Sequence, residues 1–227
     1  MTVDCPDPAA LTRLECWGAG GGLKVTRIVL ARGRVPSQPM LTLRDAWSYE
    51  DARTSARAVL ARLRADGFAP VRVKIECAPW APEVPERAEG SDRYFEHHVK
   101  LLLDSGFDRD ALTATAVAHG AHLSWNARRA ATGDRHERFV TQRCFGVGAT
   151  SAGHALDALL AALTGYEVLS VEREFVLYDS DLSVDDGWIG EPAVTAGATG
   201  TPGTTGTAGT AGTAGTAGTA GIGGTAG

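Results

Sequence analysis

The stretch YFEHHVKLLLDSGFDRDALTATAVAHGAHLSWNAR, residues 94–128, contains the pattern from which the fold is predicted. Residues 94–103 are mostly apolar and aromatic, which favours a strand. Residues 108–119 favour a helix, and Gly120 supplies its stop signal. Residues 122–128 alternate between apolar and polar side chains, as in a strand with one wet face. The stretch therefore predicts a strand-helix-strand unit.

Two other stretches of the chain show the same order. In one, a strand at 24–31 precedes a helix that starts at a capping-box pattern, Ser48 with Asp51, and stops at Gly67. An alternating strand at 71–77 follows. In the other, strands at 137–145 and 168–179 flank a helix at 151–164, for which Ser151 is the expected N-cap.

Three such units predict an α+β fold of ferredoxin-like topology (βαββαβ), extended by a third βαβ unit. Crossovers give parallel neighbours and short links give antiparallel ones, so we expect a mixed or antiparallel sheet. Three helices are too few to cover both faces of six strands, so we expect them on one face. The other face must then be solvated, closed into a barrel or covered by a partner. We expect one domain at residues 24–190, preceded by an N-terminal extension at 1–23.

Residues 194–227 form a Gly-Thr-Ala repeat without a charged residue. Glycine at every third position is the period of a collagen triple helix, but the repeat contains one proline, Pro202. The composition favours a disordered tail. A stem that forms a trimer is the alternative, so a homo-oligomer is considered.

Composition argues against several classes of protein. The net charge is −5 and the 22 basic residues are spread along the chain, so no nucleic-acid partner is expected. No run of 18 apolar residues and no signal segment is visible, so we expect no membrane partner and a cytoplasmic location. The four cysteines are never spaced as C-x-x-C, and no metal site is assigned from them.

The alternation of the strands predicts one shared polar face. Side chains of a strand point to opposite sides in turn, so the apolar positions of each strand define the other side. The residues expected on the polar face are Arg72, Lys74, Glu76, Glu96, His98, Lys100, His122, Ser124, Asn126, Arg128, Ser170, Glu172, Glu174 and Tyr178. The strand at 137–145 is ambiguous, because apolar residues occupy both of its faces.

A solvated sheet surface accounts for such a face without any function. The functional hypothesis depends on the histidines, because histidine changes its charge near neutral pH. It takes His98 and His122 as catalytic residues and Lys74 and Lys100 as charge stabilisers. Ser124 and Asn126 would orient the ligand, and the other expected ligand-binding residues are Glu76, Glu96, Glu172 and Glu174. A metal held by His98, His122, Glu172 and Glu174 is a further alternative.

Two weaker signals lie at turns. Residues 146–153 are glycine-rich and lead into a helix start, which we interpret as a turn and cap. The sequence Asp185-Asp186-Gly187 predicts a turn that folds the following Trp188 back over the sheet as an anchor.

Two short elements resemble known families. His122-Leu-Ser124-Trp is similar to the H-x-[S/T]-x element of the 2H phosphoesterases, in which two histidines hold a phosphate. The second candidate, His98-Val-Lys100, departs at its third residue. Glu172-Arg-Glu174, with Glu96 and Lys100, resembles the E-x-E-x-K strands of triphosphate-tunnel enzymes, which bind metal-triphosphate inside an antiparallel barrel. In that family the motif lies at the start of the chain, whereas here the glutamate pair lies in the last predicted strand. Because both elements depart from the family patterns, neither family is assigned.

The sequence thus leads to one main hypothesis and two rivals. The main hypothesis is a protein that binds an anionic or metal-complexed small molecule on an open sheet face, with phosphoester hydrolysis as a candidate reaction. Whether the protein is an enzyme stays open, and no cofactor is named. The rivals are a non-enzymatic ferredoxin-like interaction or regulatory module and a structural stem that forms a trimer through the glycine repeat.

Overall fold

The computed structural model describes residues 1–44, 46, 48–88, 90, 92–127 and 135–188. The predicted tail, the predicted face residue Arg128 and the last two residues of the expected domain lie outside them. The described elements, in chain order, are β1 (Thr2–Asp4), α1 (Pro8–Gly20), β2 (Lys24–Leu30), β3 (Ser37–Thr42), α2 (Tyr49–Ala65), β4 (Ala69–Arg72), β5 (Lys74–Cys77), β6 (Tyr94–Asp104), α3 (Arg109–Ala118), β7 (Ala121–Asn126), β8 (Arg135–Phe145), α4 (Ala149–Ala162), β9 (Glu167–Asp179) and a 3₁₀ turn (Leu182–Asp185).

Side-chain caps explain where three of the helices begin. The side chains of Asp7, Ser48 and Asp108 each accept a hydrogen bond from the backbone N–H three residues later. Helix α4 differs, because its N-cap is Gly148 and no side chain caps it. The expected N-cap Ser151 instead lies inside the first turn of α4. A methyl group on Gly148 would lie 2.2 Å from the carbonyl oxygen of Glu86, so the backbones approach more closely here than any side chain allows.

The nine strands pair in one order, β4-β1-β3-β2-β7-β8-β6-β9-β5, and every pair is antiparallel. The two ends of this order are joined, because only Val73 separates β4 from β5. Strand β4 pairs with β1, while β5 pairs with β9. The backbone of Val73 adds a contact to Ser180, whose N–H donates to its carbonyl oxygen at 3.0 Å. The sheet is therefore closed into a barrel.

The helices pack on the outside of this barrel. One apolar cluster joins Leu112 of α3 and Leu159 of α4 to Val99, Leu123 and Val140 of the sheet. A second cluster joins α1 and α2 to the outward side chains of β1 and β3. Residues fully shielded from water in these clusters each stabilise the fold by roughly 1.5–3 kcal/mol. The apolar core thus lies between helices and sheet, and not inside the barrel.

The α+β class is confirmed, but several expected details differ. The sheet has nine strands and is antiparallel, because β8 lies between β6 and β7 where a parallel contact was expected. Residues 1–23, expected as an extension, contain β1 and α1. Strand β3 was missed because it contains Pro39, which cannot donate to a strand pair and argues against a central strand. None of the helices in the described part of the chain has both the length and the apolar composition needed to cross a bilayer.

Candidate functional site

Most of the predicted polar face lines the interior of the barrel, but Tyr178 lies opposite Ile75 of the outer apolar cluster and is 45% exposed, so its predicted facing is wrong. The strand register places Glu96 opposite Glu174 on β9 and opposite Arg143 on β8. In the same way, His98 lies opposite Thr141. The expectation of an open sheet face is wrong, since only 1% of the Glu96 surface is exposed. Closure of the sheet places charges that were expected in water in an interior where their interactions are stronger.

Glu96 is the centre of the charged residues in this interior. Its carboxylate accepts hydrogen bonds from the ammonium group of Lys74 and, at 2.6 Å, from Nε of Arg143. The Nε2 atom of His98 lies 3.3 Å from the same carboxylate. Burial alone would raise the pKa of Glu96, but Lys74, Arg143 and His98 hold it well below its usual range. Glu96 is therefore ionised and is shared by three cationic groups.

His98 is held between two carboxylates. Its Nε2 atom lies 3.3 Å from Glu96 and 3.5 Å from Glu174, and its Nδ1 atom is 3.0 Å from the hydroxyl of Thr141. Although burial disfavours its charged form, the hydrogen bonds to Glu174 and Glu96 raise the pKa of His98 to about 10. At neutral pH this side chain is an imidazolium. The catalytic role that the sequence predicts for His98 stays a prediction, and in this charged state the ring can donate a proton but cannot accept one.

Asp185 forms a second centre of ion pairs. One of its oxygens accepts from Nη1 of Arg72 at 2.6 Å and from Nη2 of Arg143 at 2.7 Å. The other oxygen accepts from the amide of Gln38 at 2.7 Å. Arg72 also pairs with Asp179. Because Arg143 contacts both Asp185 and Glu96, the two centres form one network, which we call the interior network.

The interior network has nearly balanced charge. Its four cations are Arg72, Lys74, His98 and Arg143, and its five carboxylates are Glu76, Glu96, Glu174, Asp179 and Asp185. One negative charge is in excess. Each cation already has an acidic partner, so a ligand can enter only by exchanging partners with these groups.

The other predicted residues lie outside the interior network. Lys100 pairs with Glu137 at 2.8 Å, so it does not join Lys74. Ser124 is buried and Asn126 half-buried on β7, whereas Glu172 is exposed. Of the expected ligand-binding residues, the structure thus brings together Lys74, Glu76, Glu96 and Glu174.

His122 has the opposite electrostatic environment to His98. It is 7% exposed, and its ring centroid lies 6.0 Å from that of Trp188. Burial, together with Arg32 and Arg143, lowers the pKa of His122 to about 4. The two histidines lie on strands at either side of β8, both opposite Thr141. At neutral pH the two rings therefore differ in charge, with His98 an imidazolium and His122 a neutral imidazole.

One set of side chains has the composition of a metal site. Among the described residues, Glu96, His98 and Glu174 offer ligand atoms that all lie within 4.8 Å of one another. Two carboxylates and an imidazole suit several divalent metals. The bond from His98 Nδ1 to Thr141 would orient the ring as outer-shell partners of metal ligands do. This set retains His98 and Glu174 from the sequence-based alternative but replaces His122 and Glu172 with Glu96.

Sequence reasoning missed Arg143, Asp179 and Asp185 of the interior network, and also Gln38, which donates to Asp185. The strand register places Asp179, and not the predicted Tyr178, opposite Lys74. Arg143 lies on the strand whose facing was ambiguous, and only its register with Glu96 resolves it. Asp185 belongs to a sequence that signalled only a turn, and Gln38 lies on the missed strand β3. The turn does bring Trp188 back onto the barrel, where its indole N–H donates to the carbonyl oxygen of Leu123 at 2.9 Å.

Comparisons with protein-family models, with curated proteins and with solved structures give no match for this chain. The function is therefore argued from the geometry and charge of the interior network.

Proposed function

We propose that the barrel interior binds a divalent metal ion together with a phosphate-bearing small molecule. The observation that carries this proposal is the convergence of Glu96, His98 and Glu174 within 4.8 Å, beside the ammonium group of Lys74. Buried ion networks are weak contributors to stability, because desolvation offsets much of the attraction between the charges. An apolar barrel interior would be simpler to stabilise, so stability alone does not explain the charged groups. In addition, strongly shifted pKa values, such as those of Glu96 and His98, cluster at functional sites.

The charge balance favours a metal-phosphate complex over either partner alone. A phosphate without a metal would meet Glu96 and Glu174 and be repelled. A metal without a phosphate would displace Lys74 from Glu96 and leave its ammonium group without that partner. When both enter, the metal neutralises the carboxylates, and Lys74 and Arg143 are released to bind phosphate oxygens. The exchange keeps every charged group paired.

Phosphoester hydrolysis is the reaction that this proposal includes. A bound divalent metal would polarise a phosphoryl oxygen. Lys74 and Arg143 would stabilise the charge that develops on the phosphate, from positions fixed by β5 and β8. His98, held by Thr141, would serve as a metal ligand only after its Nε2 proton is released to solvent, so metal binding would release one proton and weaken as the pH falls. If binding occurs without turnover, the protein is a carrier or sensor of the same ligand class.

We also infer an architecture of two ferredoxin-like βαββαβ units. The order β4-β1-β3-β2 and the order β9-β6-β8-β7 support it, because each places the fourth strand beside the first and the third beside the second. Contacts between β2 and β7 and between β5 and β9 would then join the units into the barrel. Most charges of the interior network come from the second unit and from β5.

Manganese binding tests the proposal directly. We expect wild-type protein to bind Mn²⁺ in calorimetric titration and Glu174→Gln to bind it at least tenfold more weakly, because loss of an outer-shell partner alone costs 10–100-fold. Glu174 is the ligand to substitute, since its only ion pair among the described contacts is with His98. Inorganic triphosphate should tighten Mn²⁺ binding, and Mn²⁺ should tighten triphosphate binding by the same factor.

Glu172→Gln is the matched control for this titration. Glu172 lies on the same strand, two residues from Glu174, but it is exposed. Its substitution should change Mn²⁺ affinity less than twofold. Equal loss in both variants would show that only general surface charge matters, and no Mn²⁺ binding by the wild type would refute the proposed site.

One observation supports an interaction module as the second candidate. On β9, Val168, Leu169 and Val171 are 40%, 42% and 38% exposed, so a short row of apolar residues near the start of this strand reaches solvent. If this row mediates association, sedimentation should give a mass above that of one chain, and Leu169→Glu should return it to that of one chain. A single-chain mass for the wild type at tens of micromolar would exclude self-association through the row.

A further inference from the structure

A short segment after the last strand covers one end of the barrel. We define the plug segment as residues 181–188, which include the 3₁₀ turn Leu182–Asp185. Three of its residues are buried: Val184 and Asp185 are each 3% exposed and Trp188 is 4% exposed. Arg34, in the turn between β2 and β3, donates to the carbonyl and hydroxyl oxygens of Ser183 at 2.7 Å each. The segment is thus docked at its middle and at its end.

The carboxylate of Asp185 occupies a position with the chemistry of an anion site. Two guanidinium groups, from Arg72 and Arg143, donate to a single oxygen of it, and the Gln38 amide donates to the other. Paired arginine donors are the arrangement that recognises planar carboxylates and phosphates. Both arginine side chains are 5% exposed. A side-chain carboxylate from the plug segment therefore fills a buried, built anion site.

Removal of Asp185 would leave the rest of the interior network paired. Arg72 retains Asp179, and Arg143 retains Glu96. The Tyr94 hydroxyl continues to donate to Asp179 at 2.7 Å. Asp185 is also the only carboxylate of the network that comes from outside the barrel strands. The plug segment can therefore leave without breaking a pair among the nine strands or leaving Arg72 or Arg143 unpaired. The bonds that are lost include those that join it to Arg34, whose backbone N–H donates to the carbonyl oxygen of Asp186 at 2.7 Å.

We propose that Asp185 is an internal competitor for the phosphate site formed by Arg72, Arg143 and Gln38, and that a phosphate group of the ligand displaces the plug segment when it enters. This inference rests on the proposed function and adds its regulation. In the ligand-free protein the plug segment closes the barrel. In the bound protein the arginines hold phosphate oxygens, and Asp185 and Trp188 move into water.

The position of Trp188 gives a direct readout of displacement. Protein labelled with 5-fluorotryptophan has five tryptophans, and Trp188→Phe identifies the fluorine resonance of Trp188. Addition of Mg²⁺ and inorganic triphosphate is expected to move this resonance to the chemical shift of a solvent-exposed tryptophan. Its shift should then also change between H2O and D2O, as it does for a fluorine in contact with solvent. If triphosphate binds and the Trp188 resonance keeps its buried shift, displacement is refuted while the proposed function stands.

Asp185→Asn tests the competition itself. An amide cannot accept from two guanidinium groups at one anionic oxygen, so the variant should bind Mg²⁺-triphosphate at least tenfold more tightly than the wild type. Asp186→Asn is the control, because its carboxylate is 64% exposed and, among the residues that the structure describes, pairs with Arg34 at 4.0 Å. This control should change the affinity less than twofold.

Arg34→Ala provides a second test of the competition in case Asp185→Asn does not fold. Arg34 is 55% exposed and holds the plug segment from outside the interior network. Its removal should tighten triphosphate binding at least twofold and raise the exposed fraction of Trp188. Weaker or unchanged binding in both variants would overturn the competitor role. If no variant and no wild-type sample binds metal or triphosphate, the proposed function fails, and the displacement inference fails with it.

Discussion

Glu96→Gln is expected to lower the free energy of unfolding by about 3–5 kcal/mol, the usual cost of removing one partner from a buried ion pair. The amide is nearly the same size as the carboxylate, so packing changes little. Three cationic groups, on Lys74, His98 and Arg143, would instead surround a neutral group whose side chain is 1% exposed. The effect should be visible in urea unfolding at pH 7 as a lower midpoint with an unchanged slope.

The same substitution at Glu172 supplies the control for stability. Glu172 lies opposite His98 in the strand register but is exposed, so its charge interacts through water. Glu172→Gln should change stability by less than about 0.5 kcal/mol. Comparable losses in the two variants would mean that Glu96 is not the electrostatic centre that its contacts indicate.

Wild-type stability is expected to fall as the pH rises from about 6.5 to about 10, because His98 then loses its proton. The folded-state pKa of His98, about 10, lies above its usual value of 6.5. The protonated ring thus binds its carboxylate partners more tightly in the folded chain than in the unfolded one. Its contribution is complete below pH 6.5 and is lost as the pH passes through 10. Each pH unit inside this window removes up to about 1.4 kcal/mol.

His98→Gln separates this effect from the other titrations. Glutamine can donate to Glu96 or Glu174 but carries no titrating proton, so the variant should lose the alkaline slope that His98 causes. The buried amine of Met1, whose pKa is lowered to about 6, contributes stability in the opposite direction over pH 6–8. Burial raises the pKa of Cys77 to about 11, which adds its own alkaline loss.

The Met1 and Cys77 contributions are common to wild type and variant, so the comparison is made on the difference between them. Between pH 7 and pH 9.5, the free energy of unfolding should fall by at least about 1 kcal/mol more in the wild type than in His98→Gln. This is less than the loss of up to about 1.4 kcal/mol per pH unit that one titrating proton allows. Equal pH slopes would mean that His98 is neutral in the folded protein.

These two predictions describe a barrel whose interior is held by charge and whose exterior is held by apolar packing. Leu112 and Leu159 anchor the helices to the sheet without any role for the ion pairs. Substitutions inside the barrel should therefore affect ligand binding and stability together, as at Glu96. Substitutions at Asp185 should separate the two, because its arginine partners retain other carboxylates.

Much of the local structure follows from short-range rules. Six of the nine strands correspond to predicted strand segments, because residues there either alternate with a period of two or are rich in apolar, β-branched and aromatic side chains. The facing of Glu96, His98 and Glu174 was predicted in the same way and agrees with the register. The helix stops at Gly67 and Gly120 also follow, since both glycines have positive φ.

Long-range pairing was not accessible to these rules. Strand β4 pairs with β1, while β5, on the other side of Val73, pairs with β9. Nothing in the sequence of residues 69–77 indicates that this short stretch has two different partners. The prolines beside and within β3 concealed a strand that contributes Gln38. The role of Asp185 depends on contacts with Gln38, Arg72 and Arg143, which are 147, 113 and 42 residues away in sequence.

By itself, the sequence determined which side chains share a face on most strands, where two of the helices end and that the strands carry charges of both signs. Only the tertiary structure decided that this face is the inside of a closed barrel, that His98 is charged while His122 is neutral, and that Asp185 joins two arginines. The physical reason is that alternation and capping act within a few residues. Ionisation and partner choice, in contrast, depend on which distant groups are brought together where water is excluded.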